Sequence, residues 1–117
     1  MLEDKAREVG RLIGQSDEYK AVKRTSDALA DDPEAATTLR RMETIRQTAQ
    51  QMIDRGEQPG ADMEQELDQL LEKVQVNTAY QRAIVAQDNF DKLMLRVNQW
   101  IAEGIKAGAA SPIITLG

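Results

Sequence analysis

The sequence contains no cysteine and no histidine in its 117 residues. Without cysteine there is no disulfide framework, no thiolate-ligated zinc or iron–sulfur site and no thiol nucleophile. Without histidine the commonest general base and the commonest transition-metal ligand are also missing, which leaves carboxylates, lysines, tyrosines and hydroxyls for any chemistry. Aromatic residues are few: one Trp, one Phe and two Tyr. No apolar run approaches the ~20 residues needed to span a bilayer, and no long apolar run follows the amphipathic start MLEDKAREVG. A formal charge of -5 and a pI near 4.8 oppose indiscriminate binding to nucleic acid or to an anionic membrane. There is no phosphate-cradling glycine loop, no helical Glu-x-x-His pair and no hydroxyl nucleophile beside a base. The expectation is a soluble cytoplasmic protein that is not an enzyme and has no catalytic, cofactor or metal residue.

What the chain does have is helical periodicity. Leu2, Ala6, Val9 and Ile13 form one stripe of a short first helix. Ser16 is an N-cap, followed by Asp17 and Glu18 in the first turn, where the helix dipole favours negative charge. The second helix runs to about Ala30 and is expected to bury Tyr19, Val22 and Leu29. Asp31-Asp32-Pro33-Glu34-Ala35 restarts the chain, with Asp32 as cap and Pro33 at the first helical position, where no amide donor is needed. Capping accounts for these carboxylates better than metal binding does, since no EF-hand spacing is present. The third helix, Pro33 to about Arg55, carries Ala35, Met42, Ile45, Ala49, Met52 and Ile53 on its apolar side and Arg40, Arg41, Arg46 and Arg55 on its polar side. Gly56 to Gly60 is the clearest break. A fourth helix, Ala61 to about Val76, packs Met63, Leu67, Leu70, Leu71 and Val74, and it is strongly acidic. Its Asp62, Glu64, Glu66, Asp68 and Glu72 therefore face the arginine-bearing arm of a hairpin. The arginines acting instead on RNA phosphate would be a direct nucleic-acid role, which an acidic neighbour and the lack of stacking aromatics oppose.

The last long stretch, Asn77 to Ile105, organises the rest. Ala79, Tyr80, Ala83, Ala86, Phe90, Leu93, Met94, Val97, Trp100, Ile101 and Ile105 share a broad face. Ile84, Val85 and Leu95 lie off it, and Ile84 and Leu95, about three turns apart, share a second line. One layer of partner helices leaves that line uncovered. A homo-oligomer interface is expected from Ile84, Leu95, Tyr80, Met94, Trp100 and Ile101. Small residues after Ile105 are expected to end the helix, dividing the chain into a helical domain, 1–108, and a linker with an apolar tail, 109–117. That tail, with Pro112, Ile113, Ile114 and Leu116, is read either as a terminus folded onto the body or as a docking peptide for a larger assembly.

The order of elements resembles the YlbF/YmcA family of small bacterial helical proteins, which includes YheA-type members. The likeness is carried by Ile13 with Ser16-Asp17-Glu18-Tyr19, by Leu29-Ala30-Asp31-Asp32-Pro33-Glu34-Ala35, by Leu39 onward, and by Asn77, Tyr80, Ala86, Phe90, Leu93, Leu95, Val97, Asn98 and Ile101. It covers about Ala6 to Ile105. The resemblance implies an all-α, five-helix up-and-down arrangement with a long helical hairpin that assembles into dimers or higher oligomers. It also implies a regulator of competence, sporulation or biofilm formation, acting with paralogues on RNA processing through a membrane-associated endoribonuclease, RNase Y. Some complexes of the family hold iron–sulfur clusters on cysteines, and that role does not carry over to a chain without cysteine. The expected function is a non-catalytic regulator or adaptor whose partners are copies of itself, and possible further partners are paralogues or a ribonuclease complex. The alternative is cargo docked through the C-terminal tail.

Overall fold

Capping chemistry sets the helix boundaries. The computed structural model describes residues 1–116, with side chains through Ala110. These residues form α1 (Leu2–Gly14), α2 (Asp17–Asp31), α3 (Pro33–Asp54), α4 (Ala61–Gln75) and α5 (Thr78–Leu116), with no strand among them. The Ser16 hydroxyl oxygen accepts from the Tyr19 amide at 3.1 Å and donates to the Ile13 carbonyl at 2.6 Å, so it ends α1 and starts α2. Asp32 accepts from the Ala35 amide at 3.0 Å, with Pro33 beginning α3 as the residue order requires. Asn77 accepts from the Tyr80 amide at 3.0 Å and starts α5.

Between α3 and α4 the chain turns at Gly56, which has φ +81. The Gly56 amide donates to the Ile53 carbonyl at 3.0 Å and the Glu57 amide to the Met52 carbonyl at 2.8 Å. Those two bonds form a Schellman end, in which a left-handed residue turns two otherwise unpaired carbonyls onto chain amides. No atom lies within 4 Å of a Cβ placed at Gly56, so the position demands glycine for backbone conformation alone. Gly56→Ala is therefore expected to lower stability by about 1–2 kcal/mol, the cost of a left-handed L-residue, measurable by urea denaturation with an unchanged m-value.

Two antiparallel pairs make up the molecule. α2 lies along the first half of α5: the Tyr19 and Phe90 rings sit 5.7 Å apart at one end, where Glu18 also pairs with Arg96 at 3.7 Å. At the other end the Asn77 amide donates to the Asp32 carboxylate at 3.4 Å, tying the α2–α3 corner to the α4–α5 corner. α3 and α4 form the expected hairpin, joined across its middle by Arg41 and Glu66. Among the described residues the buried apolar side chains are Ala35, Met42 and Ile45 of α3, Val74 of α4, and Ala86 and Val97 of α5, with Thr38 beside them. Thr38 satisfies its hydroxyl on the Glu34 carbonyl at 2.9 Å, which lets a polar residue enter the core at little cost.

The molecule is long, 67 × 37 × 21 Å, with a radius of gyration of 21.3 Å. A compact domain of this length has a radius of gyration of about 13 Å. Its accessible surface of 9132 Å² compares with about 6,400 Å² for a folded monomer of this mass.

Two expectations change. Tyr19 is 40% exposed and Val22 and Leu29 are only half-buried, because α2 is covered on only one flank, with the Tyr19 ring tilted at 60° against Phe90 at its rim. The last helix does not end near Ile105 but continues through Gly108, Ala109 and Ala110. Alanine is the best helix former, and an interior glycine costs only about 1 kcal/mol. The side chains of the expected docking tail, Pro112, Ile113, Ile114 and Leu116, lie outside the described residues.

Candidate interaction surface

α5 is covered on one side only. α2 occupies the flank that carries Ala86 and Phe90, and α1 lies beside Leu93 and Val97. What α2 and α1 leave bare is apolar: Ile84 is 51% exposed, Val85 60%, Leu95 60%, and Trp100, Ile101 and Ile105 are exposed as well. Scattered surface aliphatics are ordinary, but Ile84, Leu95, Ile101 and Ile105 recur along one side of the same helix.

The residues expected at an oligomer interface fall into two places. Tyr80, Ile84, Met94, Leu95 and Ile101 gather along one side of α5, with Tyr80 and Met94 half-buried at its border with the core. Trp100 lies about 160° around the helix from Ile84, at 3.6 residues per turn. There it joins Val9, Leu12, Ile13, Leu93, Val97 and Ile101 around an apolar groove of ≈ 410 Å³ between α1 and α5. Ile101 borders both surfaces. The periodic stripe on α1 contained the signal for this groove, but α1 buries none of its own side chains, so the stripe alone does not say what it faces.

The polar surface is organised by local pairs. The Arg41 guanidinium donates to both Glu66 oxygens, at 2.7 and 3.1 Å, the fork-on-carboxylate geometry that favours Arg. This pair is the electrostatic matching expected of the hairpin arms. Arg55 is within 3.7 Å of Glu57, whereas Arg40 and Arg46 are exposed. No group of three carboxylates able to hold a metal ion occurs among the described residues, and no helix is long and apolar enough to cross a membrane.

Two carboxyls are held below their ordinary range. Glu66 is lowered chiefly by its hydrogen bonds from Arg41, and Asp32 chiefly by the Ala35 amide with help from Asn77. A carboxylate whose pKa is depressed in the folded state contributes stability above its unfolded pKa, and this is lost as pH falls through the folded value. Both groups are half-exposed to solvent, so the effect is small. The double variant Asp32→Asn, Glu66→Gln is expected to lose less Tm than the parent between about pH 6 and pH 3, read by circular dichroism.

Comparison with known proteins places this arrangement. A curated relative, a UPF0342 protein of Leuconostoc citreum (strain KM20), is 24% identical over 102 residues, covering 87% of this chain and 86% of its own. A family model described as "Control of competence regulator ComK, YlbF/YmcA" matches residues 2–106, which span all of α1 to α4 and α5 past its exposed isoleucines. The chain is a member of the YlbF/YmcA family of competence regulators.

Proposed function

We propose that this protein is a non-catalytic regulator that works as a homo-oligomer, using exposed helix faces of α5 as its contact surface. The observation that carries this is the surface excess: about 2,700 Å² more than a compact monomer of equal mass exposes, on a chain of 9132 Å². Obligate dimers bury roughly 1,000–2,500 Å² per partner, so the excess is of the size that self-association consumes. The family's regulatory role agrees with a chain that lacks cysteine and histidine and works by contact. Paralogous family members and a ribonuclease complex are the further partners that the resemblance suggests.

Mass action provides the test. If the folded state is an oligomer, raising protein concentration roughly a hundredfold raises Tm by several degrees. A Tm independent of concentration across that range contradicts the proposal.

A further inference from the structure

The bare side of α5 has a spacing that bears on how two copies meet. Tyr80, Ile84, Gln87 and Asp91 follow one another at alternating steps of four and three, and the same steps continue through Met94, Asn98, Ile101 and Ile105. These are a/d heptad positions over about 37 Å of helix, at 1.5 Å per residue, with Gln87, Asp91 and Asn98 as the polar interruptions. Six of the eight positions are solvent-exposed and the two others, Tyr80 and Met94, are half-buried. Ile84 and Ile101 are each about half exposed and Ile105 is 68% exposed. Leu95, immediately beside the seam and 60% exposed, widens it.

We infer, resting on the oligomer reading above, that this seam is closed by a second copy of α5 running antiparallel, in one register. A parallel pairing sets each residue against itself, which places Asp91 directly against Asp91 and leaves two like charges in the seam. An antiparallel pairing sets a positions against d positions. In one register Ile84 meets Ile101 of the second copy, Tyr80 meets Ile105, Gln87 meets Asn98, and Asp91 meets Met94. Two-fold symmetry repeats each pair, so apolar layers fall at both ends of the seam and four layers bearing Gln87, Asn98 and Asp91 lie inside it; polar residues at seam positions specify register at a cost in stability. Sliding the copies by one heptad one way sets Ile101 against Asp91 and Ile105 against Gln87; sliding them the other way keeps an Ile84–Met94 layer but sets Tyr80 against Asn98, so neither retains the Ile84–Ile101 and Tyr80–Ile105 layers. Each copy retains one charge in the seam, Asp91, which accepts a hydrogen bond from Gln87 at 2.9 Å within its own helix. The surface excess of a single chain is large enough to supply this contact together with the flanking Leu95.

Because the chain has no cysteine, site-specific cross-linking reads the register without background. The full-length variants Ile84→Cys, Ile101→Cys and the double variant are treated with a short bis-maleimide, and their masses are measured in parallel by light scattering. Residues 84 and 101 of one chain are about 25 Å apart, beyond the reach of the linker, so any product joins two chains. The antiparallel register predicts a dimer by scattering, a shift to covalent dimer for the double variant, and monomer bands for both single variants. Covalent dimer from either single variant overturns the antiparallel arrangement in favour of a parallel one. A scattering dimer with no cross-link in any variant overturns the seam while leaving the oligomer reading intact. Monomeric parent protein overturns both.

Discussion

Replacing Ile84 with aspartate is expected to turn the proposed oligomer into a folded monomer. Ile84 is 51% exposed on a single chain, so the substitution removes little packing within the protomer, and helical circular dichroism and the unfolding m-value should be preserved. Its effect falls on association. An unpaired charge buried at an interface costs about 3 kcal/mol or more, and two-fold symmetry presents it twice. Together these weaken dimerisation by roughly four orders of magnitude. Val85→Asp is the matched control: Val85 is 60% exposed, one residue away and about 100° around the helix. It lies beside Arg24, Gln81 and Asn89 rather than on the seam, and the same charge there is expected to leave the assembly intact. Sedimentation velocity of the two variants at matched concentration separates the outcomes. Equal behaviour of both contradicts the assignment of Ile84 to the contact surface.

The second large effect belongs to the core. Val74 is 1% exposed and is the largest side chain among those that are fully buried, at the point where α4 returns beneath α3 before the chain enters α5. Val74→Ala removes two methyl groups from a site that has no nearby solvent to fill the void. It is expected to cost about 2 kcal/mol and to lower Tm by roughly 10 °C. Val74→Asp places an unpaired carboxylate in the same position and is expected to abolish the cooperative thermal transition, since the penalty approaches the whole stability of a small domain. Val76→Ala, two residues on and 77% exposed, should change stability by no more than about 0.5 kcal/mol. Differential scanning calorimetry on the three variants checks both the size and the order of these losses.

Much of this architecture was legible from residue order. Ser16, Asp32 and Asn77 each cap the helix that their chemistry announced, and Gly56 ends α3 where a glycine followed by a proline required a break. These are local signals, fixed by hydrogen bonds within five residues. The pairing of Arg41 with Glu66 was legible as charge opposition between two arms, although which arginine would cross was not. Ile84 and Leu95 were expected to lie off the packed face, and a single chain does leave them exposed.

The errors have a common cause. Periodicity shows that a helix has an apolar side and does not show what covers it. Tyr19 was expected in the core because it lies on the stripe of α2, yet only one flank of α2 is covered. Thr38 was overlooked in the core because it is polar, although Ala35, Thr38, Met42 and Ile45 repeat at helical spacing. Its hydroxyl is satisfied by the preceding turn, a bond that residue type alone leaves open. The groove between α1 and α5 was invisible for the same reason: each helix announces an apolar stripe, and only the three-dimensional path brings Val9 and Leu12 beside Trp100.

The central claim is that one copy of this chain exposes more apolar surface than it can hide, and that the surplus on α5 is what the protein works with. Size-exclusion chromatography coupled to light scattering, run on the full-length protein at tens of micromolar, addresses this directly. The expected mass is at least twice the 13.1 kDa of one chain. A stable 13.1 kDa particle at that concentration contradicts it.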